Sequence, residues 1–331
     1  MRVDETLSRY SDWTYAAAVG VYVLALLFSL VEQAFGRRVR PVAARELVGA
    51  GAPAETPAET TAETTTETPT GPPGDEQART EADDQDRRSR AERFGRMSVS
   101  LIVLGAVLHF AALALRGLAT GRVPWGNMYE FGATLSLAAV VTWLVLLRRF
   151  PIRRLSVWLL LPVVVLMFLG GVVLYTTAAP VQPALQSYWL AIHVLAVALG
   201  SGMVLVPGVV SVLYLIKVYR PQWATRLPDA QVLDQVAYRT TVFAFPIYTA
   251  GVIFGAIWAE SAWGRFWGWD PKETVAFVAW VVYAAYLHSR ATAGWRGGRA
   301  AAINIVGFAV MIFNLFFINL VVAGLHSYAG G

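Results

Sequence analysis

Residues 156–176 read SVWLLLPVVVLMFLGGVVLYT, an apolar run that contains no charged side chain. A run of about 20 such residues is long enough to cross a hydrocarbon core of roughly 30 Å as an α-helix. Seven other runs of similar character lie near residues 14–33, 97–117, 128–147, 188–216, 241–259, 272–290 and 301–323. The sequence therefore predicts an all-α fold, a polytopic transmembrane helix bundle of about eight spans.

Composition supports the same fold class. The chain has 331 residues, of which 56% are hydrophobic and 15% charged, whereas a soluble domain usually carries about 25% charged residues. It contains no cysteine, which excludes a disulfide framework, a thiolate metal site and a catalytic thiol. Any thiol chemistry must therefore come from a substrate or a partner.

Basic residues stand at the ends of the apolar runs, in five groups that share one side of the membrane if there are eight spans. The groups are Arg37, Arg38, Arg40 and Arg45; Arg87, Arg88, Arg90, Arg93 and Arg96; Arg148, Arg149, Arg153 and Arg154; Lys217, Arg220, Arg226 and Arg239; and Arg290, Arg296 and Arg299. Positively charged loops stay in the cytoplasm. We therefore expect a multi-pass protein of the plasma membrane with both termini outside. The net charge of +5 then reflects topology within a lipid bilayer and indicates no nucleic-acid partner.

The chain divides into three segments. Residues 1–45 are predicted to form an N-terminal transmembrane anchor with a basic flank, and no signal-peptide cleavage site is evident. Residues 46–96 contain an almost uninterrupted run of Ala, Glu, Thr, Pro and Gly between Ala54 and Gly74. Such a composition buries too little apolar surface to offset chain entropy, which predicts a disordered cytoplasmic linker. Residues 97–331 form the membrane domain.

A tryptophan-rich loop, residues 258–273 with the sequence WAESAWGRFWGWDPKE, carries four of the chain's 12 tryptophans. Asp270, Pro271 and Glu273 have the pattern of a helix start, with an N-cap, a proline at the first position and an acid at the third. The topology places this loop outside. Interfacial tryptophans often form an aromatic belt, and four of them interleaved with glycines could equally form a shelf for a planar ligand. Both interpretations stay open from the residues alone.

Two histidines are expected at the depth of this loop. His193 lies near the outer end of the fifth run and His326 lies just after the eighth. Two imidazoles facing each other across an aromatic surface would form a bis-histidine axial site for haem iron, and the alternative is a pair of interfacial or packing residues.

The other two histidines lie inside spans. His288 is 17 residues after Pro271, hence roughly 26 Å along the seventh helix. An ionisable residue in a span indicates a functional site, although a snorkelling residue beside Arg290 is an equal alternative. His109 lies in the middle of the second run, where a packing role is favoured over a ligand role.

Several motifs resemble the CcsA/ResC family of cytochrome c synthesis proteins. They are WGWDPKE in the loop, YLHSR around His288, the terminal GLHSY, PWGNMYE at residues 124–130 and LQSYWLAIH around His193. The resemblance extends from about residue 97 onward, and the first span and acidic linker resemble a lineage-specific extension.

The resemblance implies a role in System II cytochrome c biogenesis. In that family the loop is called the WWD domain and binds haem b, as a bound substrate, at the outer surface. It implies that His193 and His326 are the external axial ligands of the haem iron and that His288 is an intramembrane ligand on the outward route of haem. The remaining residues of the implied haem surface are Trp258, Trp263, Trp267, Trp269 and Asp270.

The resemblance further implies two protein partners, a CcsB/ResB-type membrane protein and an apocytochrome c whose Cys-x-x-Cys-His motif receives the haem. The chain would then be a subunit of a cytochrome c synthase, and no acid–base residue stands out. Two other functions stay open. One is a transporter of haem or another amphipathic solute that performs no ligation, and the other is a b-type haem protein that transfers electrons across the membrane.

Overall fold

The computed structural model describes residues 3–35, 73–181 and 186–326. Across these ranges the secondary structure is helical, which confirms the predicted all-α bundle. Eight α-helices are described, and the last continues into a π-helical turn at Asn314–Ile318. The helices are α1 (Glu5–Phe35), α2 (Pro73–Thr120), α3 (Met128–Leu147), α4 (Ser156–Val172), α5 (Tyr188–Tyr219), α6 (Ala230–Trp263), α7 (Pro271–Ala291) and α8 (Gly298–Phe313).

Seven of these helices are long and apolar enough to cross a membrane, and α7 is the exception. Polar residues lower the hydropathy of α7, with Lys272 and Glu273 in its first turn and His288 and Arg290 in its last. Its 21 residues nevertheless extend about as far as the 21 residues of α8 and its π turn. Because α8 returns to the end of the bundle where α7 begins, α7 crosses the same layer as α8.

Helix α2 begins earlier than the predicted second span. It starts at Pro73 and is 48 residues long, so it includes the second half of the segment that the sequence predicts to be a linker through residue 96. Ion pairs one turn apart join Arg90 to Asp86 and Arg96 to Glu92, and such pairs stabilise exposed helices modestly. Residues 36–72 lie outside the described residues. They include most of the Thr/Pro-rich run and the basic group of Arg37, Arg38, Arg40 and Arg45.

The helix termini meet at two ends of the bundle. At one end, which we call the tryptophan end, α6 ends, α7 begins and the segment after α8 passes close to both. At the other, the basic end, Arg153 pairs with Glu32 at 2.8 Å and Arg290 with Asp234 at 2.6 Å. Those pairs join the end of α1 to the start of α4, and the start of α6 to the end of α7. The basic groups within the described residues therefore gather at the end opposite the tryptophan loop.

Small residues let α5 and α6 pack closely, and this contact positions the site described below. A Cβ atom at Gly200 of α5 would lie 2.9 Å from the Cα atom of Tyr248. A Cβ atom at Gly251 of α6 would lie 2.8 Å from Val197. Close approach of backbones at glycine is a common basis of helix association in membranes. Here it brings the carbonyl of Gly251 within reach of a side chain on α5.

A buried ionic cluster joins α2, α3 and the N-terminal helix at the tryptophan end. Glu130 accepts hydrogen bonds from Arg116 Nε at 2.7 Å and from Arg122 Nη1 at 2.7 Å, and Arg116 Nη1 also lies 3.5 Å from Asp12. Glu130 and Arg116 are both fully buried. The cluster holds the start of α3 against the end of α2. The carboxylate of Glu130 also accepts a hydrogen bond from the Gly126 N–H, just before α3.

Glu130→Gln is expected to destabilise the protein strongly. The substitution removes the charge that compensates two arginines, and breaking a buried pair by removing one partner costs roughly 3–5 kcal/mol. Thermal unfolding of the purified protein in detergent measures the loss. Glu92→Gln is the matched control, because its exposed partner Arg96 makes a contribution below about 1 kcal/mol. Equal unfolding temperatures for the two variants would contradict a stabilising role for the cluster.

Candidate functional site

A cavity of about 350 Å³ opens at the tryptophan end and extends into the bundle. Side chains from α3 to α8 line it, and most of them are apolar. The polar exceptions include two of the four histidines, one lysine and one glutamate. The residues of chemical interest on its wall are His193, Trp263, Phe266, Trp267, Lys272, Glu273, Asn319 and His326. Ligand sites commonly have this form, an apolar cleft with a few placed polar groups.

His193 projects from the second turn of α5 toward α6. Its Nδ1 atom lies 2.8 Å from the carbonyl oxygen of Gly251. A carbonyl oxygen can only accept, so Nδ1 carries the proton and donates it. A Cβ atom at Gly255 would lie 2.6 Å from Cε1 of the imidazole, so glycine at this position leaves room for the ring. On α6, the carbonyl of Gly251 thereby fixes the tautomer of His193, and the missing side chain of Gly255 fixes where the ring can lie.

His326 is held by the capping residue of α7. Its Nδ1 atom lies 2.8 Å from Oδ2 of Asp270. Burial raises the pKa of Asp270, but hydrogen bonds from the Leu325 N–H and from His326 outweigh that effect and leave the pKa below its usual value. Burial and the nearby Lys272 charge lower the pKa of His326 against the opposing effect of Asp270. At neutral pH the pair is therefore a neutral imidazole that donates from Nδ1 to a carboxylate.

The two histidines share one property that is decisive for their chemistry. In both rings Nδ1 donates to a protein oxygen, so the Nε2 lone pair is free for a metal ion. Histidine ligands usually have such a second hydrogen bond, which orients the ring and fixes the tautomer. Both rings line the same cavity and both contact Trp258, with ring centroids at 6.4 Å for His193 and 6.2 Å for His326. This donor set fits the axial coordination of haem iron.

The four tryptophans of the loop do not form one flat surface. Trp263 and Trp267 line the cavity. Trp258 is 2% exposed and lies behind it, with its indole N–H unpartnered among the described residues. Trp269 is 66% exposed and packs edge-on against Trp267 and Phe277. The rings are steeply inclined to one another, at 66° for Trp258 and Trp263 and 88° for Trp267 and Trp269.

The predicted start of α7 at Pro271 is confirmed. Asp270 is the N-cap, its side chain accepts from the Lys272 N–H, and Glu273 accepts from the Asp270 N–H at 3.2 Å and the Gly268 N–H at 2.9 Å. Trp269, immediately before the cap, has φ of +58°. A bulky residue in this left-handed region is strained by about 1–2 kcal/mol, and such strain is concentrated at functional sites.

Two functional features at this site were absent from the sequence-based prediction. Asp270 is more than a cap, since its carboxylate also orients His326 and accepts from the Leu325 N–H at 2.8 Å. Lys272 lines the cavity and donates to Asn319 Oδ1. A basic residue in the first turn of a helix opposes the helix dipole. That local conflict is the signal in the sequence that could have identified Lys272.

The other two histidines lie away from the cavity. His288 is in the last turn of α7, at the basic end, and is exposed. His109 of α2 is fully buried between the rings of Tyr15 and Tyr22, whose centroids lie 6.1 and 6.0 Å away. Neither ring nitrogen of His109 has a hydrogen-bond partner among the described residues. The structure therefore brings together His193, His326 and Asp270, and leaves His288 and His109 apart from them.

Comparisons with known proteins identify the family. Residues 125–326 match the family described as Cytochrome C assembly protein. A cytochrome c biogenesis protein CcsA from Parasynechococcus marenigrum (strain WH8102) is 33% identical over 268 residues, covering 69% of this chain and 85% of that protein. The CcsA protein of Chlamydomonas reinhardtii is 42% identical over 153 residues, which is 46% of this chain but only 43% of the relative.

A solved structure shares the fold. The structure of "Cytochrome c Heme Lyase CcmF" superposes with a TM-score of 0.61 at 17% sequence identity, and the match covers 96% of this chain and 47% of that one. At that identity the likeness concerns the fold alone. The family match includes both cavity histidines, the whole tryptophan loop and His288. On these grounds the chain belongs to the cytochrome c assembly protein family.

Proposed function

We propose that this protein acts in cytochrome c biogenesis by holding haem at the outer face of the membrane for thioether ligation to an apocytochrome c. The observation that carries the proposal is the pair His193 and His326, two imidazoles with free Nε2 atoms on the wall of one cavity. Family membership and the names of the relatives support the same role.

Bound haem would supply the iron and the vinyl groups on which the thioethers form. The chain's own residues orient and shield it. His193 and His326 would hold the iron, and Trp263 and Trp267 would exclude water from the cavity. Lys272 supplies a positive charge beside the histidines, which suits the carboxylates of a haem. Since the chain has no cysteine, both thiols come from the apocytochrome, and the protein contributes positioning.

The membrane orientation belongs to the same proposal. The basic groups that flank the apolar runs, as far as the structure describes them, gather at the end opposite the tryptophan loop, and such groups favour the cytoplasm. The tryptophan end and the haem cavity therefore face outward, with the membrane domain of residues 97–331 carrying the function and the segment before it serving as anchor and linker. Apocytochrome c is then reached on the outer side.

His288 supports a second part of the proposal, the outward passage of haem with the help of a partner. It is exposed on α7 at the basic end, so a ligand from another chain can approach it. A CcsB/ResB-type membrane protein is the partner that the family resemblance implies. Passage toward the outer site is also favoured by the depth of the cavity, which reaches Leu205 of α5 and Phe308 of α8.

Complementation tests the proposed function against the two alternatives. The full chain and its partner are expressed in a strain that lacks its own cytochrome c maturation proteins, together with a reporter apocytochrome. The expected result is covalent haem on the reporter, and none on a reporter whose two motif cysteines are replaced by serine. Haem that reaches the outside without covalent attachment would favour a transporter. Haem that stays in the chain and is oxidised and reduced without either outcome would favour an electron-transfer protein.

Gly255→Ala is expected to impair maturation although residue 255 carries no reactive group. A Cβ atom there would lie 2.6 Å from the His193 ring, so the ring must move. A misplacement of about 1 Å in a positioned group can cost roughly 100-fold in rate. The yield of covalent haem on the reporter measures the effect, and Gly132→Ala is the control because nothing lies within 4 Å of a Cβ atom there. Normal maturation by Gly255→Ala would show that the position of the His193 ring is unimportant.

A further inference from the structure

A second cavity, of about 1130 Å³, lies on the other face of the bundle and shares no lining residue with the first. Its wall comes from α2, α3, α5 and α6, with Pro124 and Trp125 at the tryptophan end and Arg149, Phe150 and Arg239 at the basic end. We call this cavity the groove. Along α3 it extends from Thr134 to Arg149, which is about 22 Å for a continuous helix. That length exceeds one leaflet of a hydrocarbon core, roughly 15 Å.

The threonines on the wall of the groove present no free hydroxyl group to it. The hydroxyl of Thr134 donates to the Glu130 carbonyl, and Thr142 donates to Ala138. Thr240 donates to Val236 in the same way. All three hydroxyls are thus satisfied within their own helices, and between Trp125 and the two arginines no lining side chain offers an unpaired polar atom to a solute. An ion or a water file would find no partners there.

The groove faces the bilayer. Four of its large apolar side chains are well exposed, and these are Phe110, Val141, Val145 and Phe243, with exposed fractions of 65%, 48%, 56% and 68%. They belong to α2, α3 and α6, so the surface around the opening is apolar on three helices. In a spanning bundle such surface is in contact with lipid chains. An acyl chain can therefore enter the groove from the side.

Both charged residues on the wall are positive. Arg149 follows α3 and Arg239 lies in α6, and among the described residues no acidic side chain lines the groove. Within the part of the chain that the structure describes, neither guanidinium pairs with a carboxylate, and Arg239 lies over the Phe150 ring at 5.5 Å. Two unneutralised guanidinium groups at the mouth of an apolar groove complement one phosphate.

We propose that the groove is a binding site for one anionic phospholipid, with an acyl chain along α3 and the phosphate between Arg149 and Arg239. Basic pockets between transmembrane helices at the cytoplasmic side are sites of this kind. The lipid fills the space between α3 and α6. Its binding is independent of haem, because the groove and the first cavity have no residue in common.

Native mass spectrometry of the full chain in detergent tests the proposal. After delipidation, phosphatidylglycerol and phosphatidylcholine with identical acyl chains are added separately. We expect one phosphatidylglycerol to bind preferentially, and Arg149→Gln/Arg239→Gln to weaken it roughly 30-fold, from two charges near the surface. Arg148→Gln/Arg154→Gln is the matched control, since both of these arginines are exposed and neither lines the groove. It should bind like the unaltered chain.

Two further measurements separate the lipid from other occupants. Leu199→Trp places a larger side chain in the groove and should reduce phosphatidylglycerol binding without any change of charge, and glycerol 3-phosphate should fail to displace the lipid. Equal binding of the two lipids, unchanged binding by the double arginine variant, or displacement by glycerol 3-phosphate would overturn the proposal. So would a dimer of the chain that is dissociated by Leu199→Trp, because the groove would then be a helix–helix contact.

Discussion

His193→Ala and His326→Ala are each expected to lower the affinity of the purified protein for added haem by more than roughly 100-fold, since loss of a group that only orients a histidine ligand already costs up to that factor. Each histidine presents a free Nε2 atom to the same cavity, and each ring is fixed by a hydrogen bond of 2.8 Å from its Nδ1 atom. Each variant leaves a single imidazole on the cavity wall, because the other two histidines of the chain, His109 and His288, do not line it. Haem titration followed by absorption spectroscopy measures the loss.

His288→Ala is the matched control for this experiment. Its imidazole is exposed at the basic end and does not line the cavity, so the affinity for haem added to the purified protein should stay unchanged. Maturation in cells can still fall in this variant if His288 serves the outward passage of haem. Wild-type affinity in both cavity variants, or an affinity loss confined to His288→Ala, would contradict the assignment of the site.

Asp270→Asn is expected to weaken haem binding by roughly 10–100-fold, the usual effect of replacing the hydrogen-bond partner of a histidine ligand. Asparagine keeps an oxygen that can accept from the backbone and from His326, but the charge is lost. The ring of His326 then becomes a poorer donor to iron. The affinity for added haem measures this effect. Glu260→Gln, which neutralises an exposed acid at the same end of the bundle, should leave the affinity unchanged.

Haem binding should decline at acidic pH, and Asp270→Asn should move that decline to lower pH. His326 must be neutral to bind iron, and burial holds its pKa below the ordinary value, which is about 6.5. Binding should therefore be constant at neutral pH and decline only below about 6.5 as the imidazole takes up a proton. Asp270 raises the pKa of His326, so Asp270→Asn lowers it further and moves the decline to more acidic pH. A decline that moves upward would contradict the pairing of these two residues.

Local sequence was enough to predict most of the helices. The apolar runs predict the spans because a helix pairs all the backbone groups of an apolar segment within that segment, as a bilayer requires. The start of α7 follows from the capping pattern of Asp270 and Glu273. The start of α2 at Pro73 was not predicted. A polar helix outside the membrane has no apolar periodicity to mark it in the sequence. The sequence shows its weak ion pairs only as acidic and basic residues four positions apart.

The sequence pointed to four of the residues that line the cavity, His193, His326, Trp263 and Trp267, but not to the geometry of the site. Shared depth at one end of the spans pointed to His193 and His326, and depth follows directly from position in a span. The hydrogen bond from His326 to Asp270 joins residues 56 positions apart, and no local pattern encodes it. Trp269 has a positive φ that its residue type disfavours, so the loop's conformation and the separation of its tryptophans could come only from tertiary packing.

The most direct test of the central claim is the low-temperature electron paramagnetic resonance spectrum of the ferric, haem-loaded protein. Coordination by His193 and His326 predicts a low-spin signal typical of two imidazole ligands. His193→Ala and His326→Ala, loaded at saturating haem, should each convert it to a high-spin signal, while His288→Ala should not. A bis-imidazole signal that persists in both cavity variants would contradict the account, because the iron would then be held by histidines outside this cavity.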